Sequence, residues 1–137
     1  MSSYTLPRIQ SDKALALTLG YLLPVVSANS VMTYGQIATR LERDLKIKGN
    51  IYPLHIGGTV GTLMNRLWEI DDTIPPINVL VVRRTSKKPS KGVNGFLRYW
   101  FTLPRGTRLS PKYRDELIER AAKDVRGPGS LFVLCTF

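Results

Sequence analysis

Apolar positions recur along this chain in two rhythms, and the switch between them divides it. From Ser11 to about Asp71 the spacing is helical. Leu15, Leu19, Leu22, Leu23 and Val26 line one side of a first helix that opens at Ser11-Asp12. Pro24 falls inside that pattern, so this helix is expected to end or kink near Leu23, with Ser27 to Ser30 as the following turn. In the stretch VMTYGQIATRL, residues 31–41, Thr33 with Gln36 three residues later forms a capping box, and Ile37, Leu41 and Leu45 follow on one stripe. A short amphipathic second helix results. After the turn-like Lys46 to Asn50, Ile56, Val60, Leu63, Leu67 and Ile70 step by four, three, four and three, which predicts a third helix over about 55–71.

Beyond Asp72 the rhythm shortens. Ile77 to Val82 is rich in β-branched residues, Thr85 to Gly92 is turn-like and basic, and Phe96 to Phe101 is again strand-forming, which predicts a hairpin with a charged tip. Ser110-Pro111 opens a last helix to about Val125, with Leu117, Ile118 and Ala121 inward. Residues 1–10 read as a flexible N-terminal arm, and residues 127–137 as a tail or late strand. The expected fold class is α+β: a winged helix-turn-helix domain over 11–126, with a three-helix core, a basic β-hairpin wing and a C-terminal helix.

Charge sharpens this picture more than composition does. The 137 residues fit one domain, and 20 Lys+Arg against 10 Asp+Glu give a formal +10, which favours a polyanionic partner. The surplus is segregated. Between Thr73 and Arg114 no acidic residue occurs, while Arg83, Arg84, Lys87, Lys88, Lys91, Arg98, Arg105, Arg108, Lys112 and Arg114 are all basic; the rest of the chain sums to zero. Such a run is either a solvated surface or a phosphate-binding one.

The outward side of the third helix carries Gly58, Thr59, Thr62, Asn65, Arg66 and Glu69. Thr and Asn reach base edges in a groove, and glycines let backbone approach phosphate, although an ordinary solvated face has a similar composition. Arg83, Arg84, Lys87, Lys88 and Lys91 on the wing, with Arg98, are placed to hold phosphates; lysines at a hairpin tip also guard a sheet edge against aggregation. Arg40 and Arg43 on the second helix add to them. If about five such charges neutralise phosphates, the log-log salt slope is expected at about −4 to −5.

Other chemistries find less support. Cys135 is the single cysteine, so an intramolecular disulfide is excluded, and with His55 alone beside it there is no zinc-ligand spacing. His55 is a candidate general base, or a capping and packing residue at a helix start. Asp71 and Asp72 are adjacent and point apart, with no third ligand at useful spacing. The glycine-rich Gly57 to Gly61 lacks the Lys-Ser/Thr and the preceding strand of a nucleotide-binding loop. No apolar run approaches the roughly 20 residues of a membrane span, and the polar Met1-Ser2-Ser3-Tyr4 does not resemble a signal peptide, so no membrane association and a cytoplasmic location, nucleoid-associated in a bacterium, are expected.

Three islands, Thr33-Tyr34-Gly35-Gln36-Ile37-Ala38, Val60-Gly61-Thr62-Leu63-Met64 and Ile74 to Val82 followed by Gly92 to Phe96, come in an order that resembles the DNA-binding domain of the O6-alkylguanine-DNA alkyltransferases and alkyltransferase-like proteins. The likeness covers roughly residues 11–100. It implies a winged helix-turn-helix on duplex DNA, bound through the minor groove, with a tyrosine near the second helix pushing a base out of the stack. Tyr34 occupies that place, and also reads as a helix-start residue packing locally. The family's alkyl-accepting Ile-Pro-Cys-His-Arg-Val segment is matched here by Pro76, Ile77 and Asn78, so the nucleophile is missing. The intercalating arginine that the family places before its Val-Gly pair falls on Gly58.

These features together point to a non-enzymatic duplex DNA-binding protein without cofactor or metal, with an effector or nuclease partner also compatible. Two alternatives stay open. One is a structured-RNA or ribosome-associated protein using the same basic hairpin with Tyr99 and Trp100 as stacking surfaces; the other is a small metal-independent nuclease or toxin using His55.

Overall fold

The computed structural model describes residues 5–127. Its helices are α1 (Thr5–Arg8), α2 (Asp12–Ser27), α3 (Tyr34–Asp44), α4 (Pro53–Ile70), α5 (Asn94–Trp100) and α6 (Pro111–Val125), with 3-10 turns at Ile77–Leu80 and Lys91–Val93. Two strands, β1 (Met32–Thr33) and β2 (Val81–Val82), pair in parallel, with Met32 opposite Val81 and Thr33 opposite Val82. Among the described residues the architecture is α+β, mostly helical with one small two-stranded sheet.

Local chemistry sets where the helices begin. Ser11 Oγ accepts the Ala14 N–H at 3.2 Å and Ser110 Oγ that of Tyr113 at 3.4 Å, while the Thr33–Gln36 capping box closes in both directions at 3.1 and 2.9 Å. Each such cap is worth about 1 kcal/mol. Pro53 and Pro111 take first-turn positions, where their missing N–H costs nothing. The α3–α4 connection is tied by the Ile51 N–H, which donates to the Glu42 carboxylate.

Packing of α2, α3 and α4 forms the main core, in which Leu22, Ile37, Leu41, Ile56 and Met64 are fully buried. A second layer follows from the chain's return. Trp68 Nε1 donates to the Ile74 carbonyl at 2.7 Å and folds the segment after α4 back, so that Ile77, Leu80, Leu97 and Leu117 close the core under α5 and α6.

Three expectations are corrected. The hairpin does not form. Ile77–Leu80 is a 3-10 turn, β2 pairs with β1 instead of with residues 96–101, and those residues fall on α5 and its C-terminal turn. Helical spacing buries Val93 and Leu97 on one side and rests Phe96 on Trp68, with ring centroids 5.3 Å apart, so tertiary packing overrides the β-propensity of the aromatic run. Pro24 does not end α2 near Leu23: the helix runs on to Ser27, and the Pro24 carbonyl accepts the Ala28 N–H at 2.9 Å at its C-cap. The loose arm over 1–10 is, within the described residues, a helical turn anchored by the fully buried Ile9 and by Arg8, which donates to the Leu45 carbonyl. Of the expected tail or late strand, residues 128–137 lie outside the described residues.

Candidate nucleic-acid interface

The cations that were expected on a wing stand on a compact loop between β2 and α5. Its backbone closes on itself, Arg83 N–H donating to Lys88 O and Lys87 N–H to Arg83 O, both at 2.9 Å. Lys87 takes a left-handed φ of 59° at the turn. The base of the loop is held from two sides. Tyr34 Oη accepts the Ser90 N–H at 2.9 Å and donates to Ser90 Oγ at 3.1 Å, while Arg114 donates to the carbonyls of Pro89 and Ser90 at 2.9 and 2.8 Å and to Asn94 Oδ1 at 2.6 Å. Burial pushes the Arg114 pKa down from its ordinary value.

Pinned in this way, the loop presents Arg83, Arg84, Lys87, Lys88 and Lys91 to solvent. Lys88 pairs with Asp115 at 2.8 Å. For Arg83, Arg84, Lys87 and Lys91 the described residues supply no ion pair, so their full charge faces outward. Between this loop and the starts of α3 and α4 lies a cleft of about 540 Å³, lined by Thr33, Tyr34, Gly35, Pro53, Leu54, Gly57, Arg83, Arg84, Thr85 and Ser90.

Along α4 the expected contacts divide. Asn65 and Arg66 are exposed, and Thr62 is half-buried. Thr59 is a correction: it is fully buried, its hydroxyl has no hydrogen-bond partner among the described residues, and its place beside Ile56, Val60 and Leu63 puts it on the inward arc. Gln10, just before α2, and Asp12, its first residue, lie on the outer face. Thr62 Oγ1 donates to Gln10 Oε1 at 3.3 Å, and Arg66 pairs with Asp12 at 3.3 Å. A Cβ at Gly58 would stand 3.0 Å from Gln10 Nε2, so this glycine admits the Gln10 amide where a phosphate was expected. Gln10 and Asp12 were missed because only Leu6 and Ile9, two apolar residues ahead of the Ser11 cap, signal that the segment folds back.

The remaining expected contacts sit elsewhere. Tyr34 is buried, and both of its polar interactions go to Ser90, so it packs locally at the start of α3 and is not free to reach a DNA base. Arg40 stacks over the Tyr21 ring at 5.5 Å and Arg43 pairs with Asp44 at 2.8 Å; both are exposed at the α2–α3 seam, and neither lines the cleft. Arg43, first, and then the Tyr21 hydroxyl hold the Asp44 carboxyl down at about 2, while burial and Asp44 push the Tyr21 phenol up. Arg98 is half-buried on α5, where Nε donates to the Thr107 carbonyl at 2.8 Å, so it serves the fold.

Groups tied to the alternative readings are also placed. Tyr99 is exposed, with its ring 4.7 Å from that of Trp68, and Trp100 Nε1 donates to Asp124 at 2.8 Å. His55 is half-buried, its ring 6.1 Å from Tyr52. Asp71 accepts the Thr73 N–H and hydroxyl at 2.9 and 2.6 Å, which lowers its pKa, while Asp72 accepts from Tyr99 at 3.4 Å. Among the described residues no three His, Cys, Asp or Glu side chains stand close enough to hold a metal ion, and no helix is long and apolar enough to cross a membrane. Comparison of the chain with protein-family models, with curated proteins and with solved structures finds no match.

Proposed function

We propose that this chain is a non-enzymatic duplex DNA-binding protein in which α3 and α4 act as a helix-turn-helix and the loop 83–91 takes the part of a wing. The observation that carries the reading is the meeting, around one cleft, of the starts of α3 and α4 with a loop, held by Tyr34 and Arg114, that brings Arg83 and Arg84 to the cleft and leaves Lys87 and Lys91 exposed beyond it. Four cations on one loop with no ion pair among the described residues favour a polyanionic backbone over a small neutral ligand, and Asn65 and Arg66 of α4 are exposed groups of the kind that reach base edges. The cytoplasm, or a nucleoid, is the compartment this reading implies.

Packing also supports the resemblance to alkyltransferase-like proteins. The island around Thr33–Ala38 meets the third island through β1–β2 and the second through the α3–α4 contact, so the three matching stretches form one unit. The transferase chemistry is not part of the proposal. Pro76, in the acceptor position, is buried, and Asn78 beside it is buried with its Oδ1 lacking a partner among the described residues.

Binding of a labelled duplex, followed by fluorescence anisotropy with unlabelled duplex or structured RNA as competitor, tests this reading. Duplex is expected to compete better than RNA, and Lys87→Glu with Lys91→Glu to weaken binding at least tenfold. Stronger competition by RNA, or unchanged binding in the double variant, contradicts it.

A further inference from the structure

We infer that Leu54 is an apolar wedge that enters a base-pair step of the bound duplex while Arg83 and Arg84 hold the phosphates of the strand alongside it. The inference rests on the duplex-binding reading and names a contact within it.

Leu54 is 84% exposed, the highest value among the large apolar side chains of the described residues. Its position explains this. It precedes Ile56, the first buried residue of α4, by two residues, which turns it about 200° round the helix from the core. Being in the first turn, its Cα–Cβ bond leans toward the helix N-terminus, so the side chain projects off the end of α4. Single exposed leucines are ordinary on protein surfaces. This one stands beside exposed Tyr52 and Pro53, and faces two arginines across a cleft.

The two walls of that cleft differ in chemistry. Pro53 and Leu54 give it an apolar side, and Arg83 and Arg84 a cationic one. A nucleic acid strand has the same division, with apolar base faces and sugars on one side and phosphate on the other. A neutral apolar ligand leaves the arginines unused, and a free anion leaves Leu54 unused. Proteins that place an apolar side chain between base pairs partly unstack the step and bend the duplex, with neighbouring basic residues holding the backbone. Leu54 has the exposure and the cationic neighbours for that role, and its distance from the core leaves it free of any structural one.

The test uses the full chain and a short duplex carrying 2-aminopurine at its central adenines, with anisotropy and 2-aminopurine fluorescence read in one titration. Wild type is expected to raise the fluorescence on binding. Leu54→Ala, which keeps the wild-type melting temperature, is expected to bind about fivefold more weakly and to lose the rise, and Leu54→Met to keep it. A rise that survives in Leu54→Ala overturns the wedge, as does a wild type that binds without any rise; in both cases duplex binding itself stands. A wild type that does not bind the duplex overturns both.

Discussion

Tyr34 and Ser90, 56 residues apart in sequence, are joined by two hydrogen bonds, the Ser90 N–H reaching the phenol oxygen at 2.9 Å and the phenol reaching Ser90 Oγ at 3.1 Å. One side chain in the first turn of α3 thus fixes the end of the basic loop. The stretch that looks like a base-displacing motif serves in this fold as a clamp on the basic loop.

Tyr34→Phe removes both bonds and leaves the ring in place. A loss of about 1 kcal/mol in stability is expected, because the half-buried Ser90 amide loses its acceptor. The loop should loosen with it, and faster tryptic cleavage after Lys87 and Lys91 under native conditions is the readout.

Thr59→Val exchanges an unpartnered buried hydroxyl for a methyl group of similar size. Stability is expected to rise by about 1 kcal/mol, since the penalty for an unsatisfied polar group is removed. Duplex affinity should not change. A fall in affinity with an unchanged melting temperature would return Thr59 to the interface.

Asp12 holds Arg66 on the outer face of α4 at 3.3 Å. In Asp12→Asn that guanidinium is released and a negative charge leaves the surface, so duplex affinity is expected to rise about two- to fivefold, with a salt slope steeper by about 1. The Asp12 charge also favours the start of α2, and a drop of a few tenths of a kcal/mol in stability should accompany the gain.

The seam between α2 and α3 predicts a pH dependence. The folded Asp44 carboxyl, held at about 2 by Arg43 and Tyr21, lies below the unfolded value near 4, so its contribution is complete above about pH 4 and is lost as pH falls toward 2. Urea midpoints measured across that window should fall less steeply for Asp44→Asn than for wild type.

Legibility in the sequence followed the strength of local signals. The Thr33–Gln36 box, the Ser11 and Ser110 caps and the stripe from Ile56 to Leu67 depend on neighbours within four residues, and each led to a helix within a few residues of the observed bounds. The wing did not follow, because Phe96, Leu97 and Trp100 fit either a pleated surface or one helix face, and Trp68 and Gly61, some thirty residues earlier, decide between them. The site was legible in its charges and not in its geometry. Arg83, Arg84, Lys87, Lys88 and Lys91 do share one exposed loop, yet nothing local announces that Tyr34 and Arg114 grip its end or that Gln10 and Asp12 lie across α4. Thr59 was misplaced by one position in the helical arc, which on a stripe this wide separates solvent from core.

The central claim, that the unpaired cations of one loop neutralise duplex phosphates, is tested most directly by the salt dependence of binding. For wild type the account predicts a log-log slope of about −3 to −4, as four neutralised phosphates require, and a slope shallower than about −1 once Arg83, Arg84, Lys87 and Lys91 are all changed to Ala. An equal slope in the two proteins would contradict it.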